Sequence, residues 1–255
     1  AINASNSTIT VKDGVTVNAA NAITLAKFTQ NVLFDIVDTN AEIAKETVTT
    51  AVLNEARKIT TNDASSNSTI TKILAATNTG DTTTNTTNTI SSATLTSAQV
   101  LALGLVKGDV ITTLVVTETN EGSTTIADAI TIDALQTAGL ITNLTITKVT
   151  GSASDVLASD ASKAAAKEAT TVEISGFATA DQASKFDTAG QTYKYEIKDT
   201  YQNLAEDSDV IGNVDHNAAI AAATKVTITD TSLTVEQQSS LDGIATNFVY
   251  NIKDS

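Results

Sequence analysis

The sequence predicts an α/β protein, a repetitive β–α solenoid of short parallel strands and short helices. Three observations predict it. The phrase Y-E-I-K-D-T at residues 195–200 returns as Y-N-I-K-D-S at residues 250–255. Strand-like and helix-like stretches alternate around each copy. The 255 residues include no proline. Usage is normally about 5%, and proline breaks both ladders and helix interiors.

The first element of each repeat is a helix. Asn18 is followed by Asn21, Leu25, Phe34, Ile36 and Asp38. The same spacing sets Thr179 ahead of Gln182, Phe186, Tyr195, Ile197 and Asp199. It also sets Thr234 ahead of Gln237, Leu241, Tyr250, Ile252 and Asp254. Thr96, Gln99, Leu103, Leu114, Val116 and Glu118 make a further copy once two residues are inserted. Asp128, Leu135, Leu144 and Ile146 keep the frame, with Lys148 in place of the acid. The leading Thr, Asn or Asp reads as an N-cap, whose side chain accepts from the bare amides of a helix start. A short helix of two turns follows, burying Leu241 or Phe186.

The next element is a strand. Tyr-x-Ile alternates with polar residues, so one face is apolar, and the closing Asp suits a strand-ending turn. A second helix and strand complete the unit. Asp38 is followed by T-N-A-E-I-A, A-V-L-N-E-A and K-I-T-T-N-D, and Asp199 by T-Y-Q-N-L-A, A-A-I-A-A-A and K-V-T-I-T-D. Ile43 and Leu204 hold the same place. The strand V-T-I-T-D has relatives in I-T-V-K-D at 9–13 and V-E-I-S-G at 172–176. The whole unit is about 55 residues, in the range of solenoid repeats. Strands joined through helices pair in parallel. Short alternating strands favour a solenoid over the alternative, a doubly wound sheet, whose strands read as continuous apolar runs.

One continuous array is expected. Residues 1–63 form a first repeat pair, 64–92 a low-complexity excursion or degraded coil, 93–171 degenerate middle repeats and 172–255 the best-formed repeats. The stretch N-T-G-D-T-T-T-N-T-T-N-T at 78–89 reads as a solvated excursion or a projecting loop. The chain stops on a repeat boundary and starts at Ala1. Both facts raise the expectation of a segment of a longer array, or of ends that pack on neighbouring copies.

Composition narrows the function. The net charge of −14 and pI near 4.3 argue against nucleic-acid binding and suit a surface bathed in salt or divalent cations. With no cysteine and one histidine, thiol chemistry and histidine-rich zinc sites are excluded. There is no glycine-rich phosphate loop and no apolar run of membrane-span length. No catalytic residue and no enzyme activity are expected.

Calcium is the one candidate cofactor. E-D-S-D-V-I-G-N-V-D at 206–215 echoes a calcium loop through Asp207, Asp209 and Asp215, although Ile211 and Ala218 stand where ligands belong. The repeated Asp38, Asp199, Asp230 and Asp254 form a second candidate set, either a ladder of metal-binding acids or a series of turn formers. Candidate glycosylation sequons lie at Asn3, Asn6, Asn67, Asn85 and Asn143.

The phrases Y-E-I-K-D-T-Y-Q-N-L-A, K-V-T-I-T-D-T-S-L-T-V-E-Q-Q-S-S-L and Y-N-I-K-D-S resemble repeats of very large secreted bacterial surface proteins, S-layer-like or adhesin-like. The resemblance covers residues 172–255 well and 9–63 fairly. It implies export, a calcium-rich medium and an extended structural or adhesive role. The expectation is therefore an extracellular structural repeat protein of a surface layer, stalk or filament, partnered by copies of itself or by flanking repeats. The alternative is an adhesin module that grips glycan.

Overall fold

The computed structural model of the chain describes residues 9–11, 15–28, 32–78, 88–106, 108–186, 190–205, 216–230, 232–242 and 248–249. The chain divides into two compact units, residues 1–120 with 131–145 and residues 121–130 with 146–255. It is an α/β fold with short helices and strands that reach 11 residues in Ile141–Gly151, and every described strand pair is parallel.

The first unit holds β1 (Ile9–Thr10), β2 (Thr16–Val17), α1 (Ala19–Leu25), β3 (Val32–Asp38), α2 (Asn40–Ala44) and α3 (Thr50–Asn54). β4 (Ala56–Thr61), β5 (Ala64–Ser65), α4 (Asn67–Leu74), β6 (Thr89–Leu95), α5 (Ser97–Ala102) and β7 (Val110–Val116) follow. Its sheet runs β1-β3-β4-β6-β7, with β2 on β3 and β5 on β6. β1 and β2 both pair with β3, at Val32 and Leu33 and at Asp35 and Ile36 respectively.

β8 (Thr124–Thr125), α6 (Ile126–Thr137) and β9 (Ile141–Gly151) come next. The start of β9 lies beside β7 within the first unit, where the Ile111 amide donates to the Leu140 carbonyl at 2.9 Å.

The second unit contains β8 and the end of β9, then α7 (Ala153–Leu157), α8 (Asp160–Lys167), β10 (Ala169–Ala178), α9 (Ala180–Ala183) and β11 (Thr192–Asp199). α10 (Tyr201–Ala205), α11 (His216–Ala222), β12 (Lys225–Ile228), α12 (Val235–Asp242) and β13 (Phe248–Val249) complete it. Its order is β9-β10-β11-β12-β13, with β8 on β9.

Within each unit the order advances and never doubles back. A doubly wound sheet reverses at a switch point and carries helices on both faces. Crossovers in an advancing order, right-handed as a rule, place helices on one face. Burial agrees. β3 buries Val32, Phe34 and Ile36 and leaves Leu33, Asp35 and Val37 partly exposed. β11 buries Tyr195 and Ile197 between exposed Lys194 and Lys198. Neighbouring strands stack these apolar positions in register, Ile36 on Ile59 and Ile197 on Val226. Full burial of such a side chain contributes roughly 1.5–3 kcal/mol.

The helices differ from expectation in length. α12 spans two turns and buries Leu241. α9 is a single turn, so Phe186 lies beyond its end. There the Phe186 ring stacks on Tyr193 at 4.9 Å and meets Tyr195 edge-on at 5.3 Å. Aromatic packing holds this side chain where a helix face was expected to hold it. Among the described residues, no helix is long and apolar enough to cross a membrane.

Candidate functional site

Helix starts and strand ends carry the recurrent polar chemistry of this fold. The predicted caps are in place. The Asn18 side chain accepts the Asn21 amide and Thr179 accepts the Gln182 amide. Thr234 accepts the Gln237 amide at 3.2 Å, while Gln237 reaches back to the Thr234 amide at 2.9 Å. Thr96 with Gln99 forms the same reciprocal box. Asp128 is not a cap. Thr125 accepts the Asp128 amide at 3.1 Å, so the helix begins three residues earlier. β9 correspondingly runs on to Gly151, which leaves Lys148 in mid-strand rather than at a strand end.

A cap side chain serves the third helical amide and leaves the first one bare. In this fold an acid from the following strand supplies that acceptor. Asp38 Oδ2 accepts the Ala19 amide of α1 at 2.9 Å, and Oδ1 accepts the Thr39 amide at 2.8 Å. Asp199 Oδ2 accepts the Ala180 amide of α9 at 3.0 Å, and Oδ1 accepts the Thr200 amide at 2.9 Å. Both reach back 19 positions along the chain. Asp63 takes the Asn40 amide of α2 at 2.6 Å, Glu118 the Ser97 amide of α5 at 2.8 Å, and Asp230 the Tyr201 amide of α10 at 2.5 Å. Charge-assisted bonds of this kind are roughly twice as strong as neutral ones, and a negative charge suits a helix start.

Backbone bonds repeat alongside them. The Asn62, Thr117 and Thr229 amides donate to the Asp38, Leu95 and Asp199 carbonyls at 3.1, 2.9 and 2.8 Å. A basic counterpart occurs at a helix end. Lys72 Nζ donates to the Ile43 and Lys45 carbonyls, each at 2.9 Å, where α2 finishes. Burial pushes the Lys72 pKa down.

The first unit also buries a polar chain. The Ile59 amide donates to Asn88 Oδ1 at 3.1 Å, and Asn78 Nδ2 donates to the same oxygen at 2.8 Å. Asn88 Nδ2 donates to Asp109 Oδ1 at 3.2 Å. Burial pushes the Asp109 carboxyl above the usual carboxylate range, against the pull of that amide. On the other side of β4, Arg57 holds Asp35 with two bonds, Nε to Oδ1 at 3.0 Å and Nη2 to Oδ2 at 3.1 Å.

Of the candidate metal ligands, Asp38, Asp199 and Asp230 are the strand-end acids described above. Asp207, Asp209, Asp215 and Asp254 lie outside the described residues. Among the described residues, no three histidine or acidic side chains converge as a metal centre requires. Of the sequons, Asn67 starts α4 and is half-buried, and Asn143 is exposed on β9 with its Nδ2 donating to the Thr112 carbonyl at 3.1 Å. Asn3, Asn6 and Asn85 lie outside the described residues.

No protein family, curated protein or solved structure matches this chain. Its chemistry is therefore read from its own geometry. A carboxylate whose two oxygens each hold a backbone amide, as in Asp38 and Asp199, ties the end of a strand to the start of the helix before it. Asp63 and Glu118 each take a first helix amide in the same way, although neither is among the candidate residues. Their signal was present in K-I-T-T-N-D and in the copy with two inserted residues.

Proposed function

We propose that these modules stack as a β–α solenoid, and that the chain is a structural repeat segment of an extracellular surface layer, stalk or filament. The observation that carries this reading is the recurring strand-end carboxylate on the first amide of the preceding helix, with the same atoms and the same 19-residue reach at Asp38 and Asp199. Acids spent in this way hold an array together rather than act on a substrate. The remaining acidic surface, part of the net charge of −14, is screened by salt and by cations such as calcium in the medium. Copies of the chain, or flanking repeats, associate through strand edges or through that surface.

Sedimentation velocity and negative-stain imaging, each with and without millimolar calcium, test the reading. The expected result is elongated particles that grow with concentration and with calcium. A compact monomer that ignores both would overturn it.

A further inference from the structure

The sheet of the second unit has one face toward its helices and one away from them. Tyr195 faces the helices, since its hydroxyl reaches α11. Successive strand residues point to opposite faces, so Lys194, Glu196 and Lys198 point outward. The same alternation sets Lys148 beside buried Val149, Glu173 between buried Val172 and Ile174, and Lys225 beside buried Val226. Register brings these outer residues together. Glu173 is opposite Lys194, Glu196 is opposite Lys225, and Lys148 Nζ lies 3.6 Å from the Glu173 carboxylate. Both glutamates are thus flanked by lysine. The face carries four lysines against two glutamates, in a chain of 15 basic and 29 acidic residues.

The helix side of the same unit has the opposite balance. Asp128, Asp155, Asp160, Glu168, Asp181 and Glu236 stand on its helices or at their ends, against Lys163, Lys167 and Lys185. Two of these lysines already have local partners. Lys163 lies 3.9 Å from Asp160, and Lys185 lies 2.6 Å from Asp181.

A sheet with surplus base on one side and surplus acid on the other complements a second copy placed above it. The two contacting surfaces differ, so the contact does not close on itself and can repeat as an open stack. The net charge of −14 opposes association at long range. That repulsion is largely screened beyond about 8 Å at physiological salt, and charges in direct contact then set orientation and partner choice. We propose that the outer sheet face of one copy docks on the acidic helix layer of a second copy, with Lys194, Lys198 and Lys225 meeting carboxylates such as Asp160 and Asp181. The contact rests on the structural reading above and adds a direction to it, layer on layer across the sheet rather than along the strand order.

Sedimentation velocity in calcium-free buffer, where no divalent ion competes with lysine for the carboxylates, tests it with charge swaps. Lys194→Glu with Lys225→Glu makes both sides acidic and should weaken self-association about tenfold or more. Lys163→Glu with Lys185→Glu changes the net charge equally, but on the helix side, and should not weaken it. Asp160→Lys with Asp181→Lys makes both sides basic and should weaken it as the first variant does. Mixing the first and third variants should restore association, because each offers the side that the other lacks. All six residues are exposed, so the fold should tolerate the changes. The proposal fails if the first variant associates like the parent, if the helix-side control weakens association as much, or if the mixture stays apart. In those cases the parent still associates and the structural reading stands; a parent that stays monomeric overturns both.

Discussion

The Tyr195 hydroxyl donates to the Ala219 carbonyl at 2.7 Å, joining β11 to helix α11. Phe34 occupies the equivalent place in the first unit, fully buried and without a hydroxyl. Burial raises the Tyr195 pKa, so the phenol remains a donor at neutral pH. Tyr195→Phe should fit the same space and lose one hydrogen bond, at a cost of about 0.5–1.5 kcal/mol in urea unfolding. The Ala219 carbonyl still accepts the Ala223 amide, which limits the loss. Tyr195→Ala should cost about 3–5 kcal/mol by opening a cavity.

Asp199 holds the Ala180 and Thr200 amides and the Asn203 side chain. Asp199→Ala leaves a buried helix amide without its acceptor and should cost about 1–3 kcal/mol. Asp38→Ala, at the equivalent position, should fall in the same range. Asp181→Ala removes an acid paired with Lys185 on the helix surface and should stay within about 0.5 kcal/mol. Denaturant melts of the three variants make the comparison. Equal effects from Asp199 and Asp181 would show that the strand-end acids carry no special weight.

Much of this arrangement is legible in the sequence because its causes are local. Thr179 and Gln182 are three residues apart, and so are Thr234 and Gln237, close enough for a cap to be read directly. Phe34, Ile36, Tyr195 and Ile197 alternate with polar neighbours and are buried as the pattern requires. The bonds of Asp38, Asp63, Glu118, Asp199 and Asp230 are not legible in this way. Their partners lie 19 to 29 positions back, and only the parallel pairing of successive strands brings them together. The start of α6 is ambiguous in the sequence because Thr125 and Asp128 are both good caps, and in the fold Thr125 takes the Asp128 amide.

Gly151 tests packing in the second unit. A Cβ there would meet Ile126 Cγ2 at 3.0 Å and Ile126 Cβ at 3.2 Å. Gly151→Ala should therefore cost about 1–3 kcal/mol by overpacking. Combining it with Ile126→Ala should cost clearly less than the sum of the two single changes, because the second makes room for the first. Strict additivity in thermal melts would remove the steric explanation.

Asp109 gives a pH test. Burial raises its pKa, so the folded state binds this proton more tightly than the unfolded state does. Stability from this group is then greatest at low pH and falls as pH rises from the ordinary carboxylate value of 3.8 through the folded value. Asp109→Asn keeps an oxygen for the Asn88 amide and removes the buried charge. The variant should be at least as stable as the parent at pH 7, and the difference should shrink as pH falls below 3.8. Parent and variant urea midpoints across that range provide the measurement, and a gap that widened on acidification would reverse the assignment.

Each of these strand-end carboxylates takes the first amide of the helix that directly follows the preceding strand. Gene duplication can exploit this. A copied stretch arrives with its own acid and its own helix start, so adding or deleting one disturbs only the junctions at its margins. Total length becomes something recombination can adjust, while a single copy can change, as Gly176 stands where Asp63 and Asp230 stand elsewhere, without removing the bonds of the others.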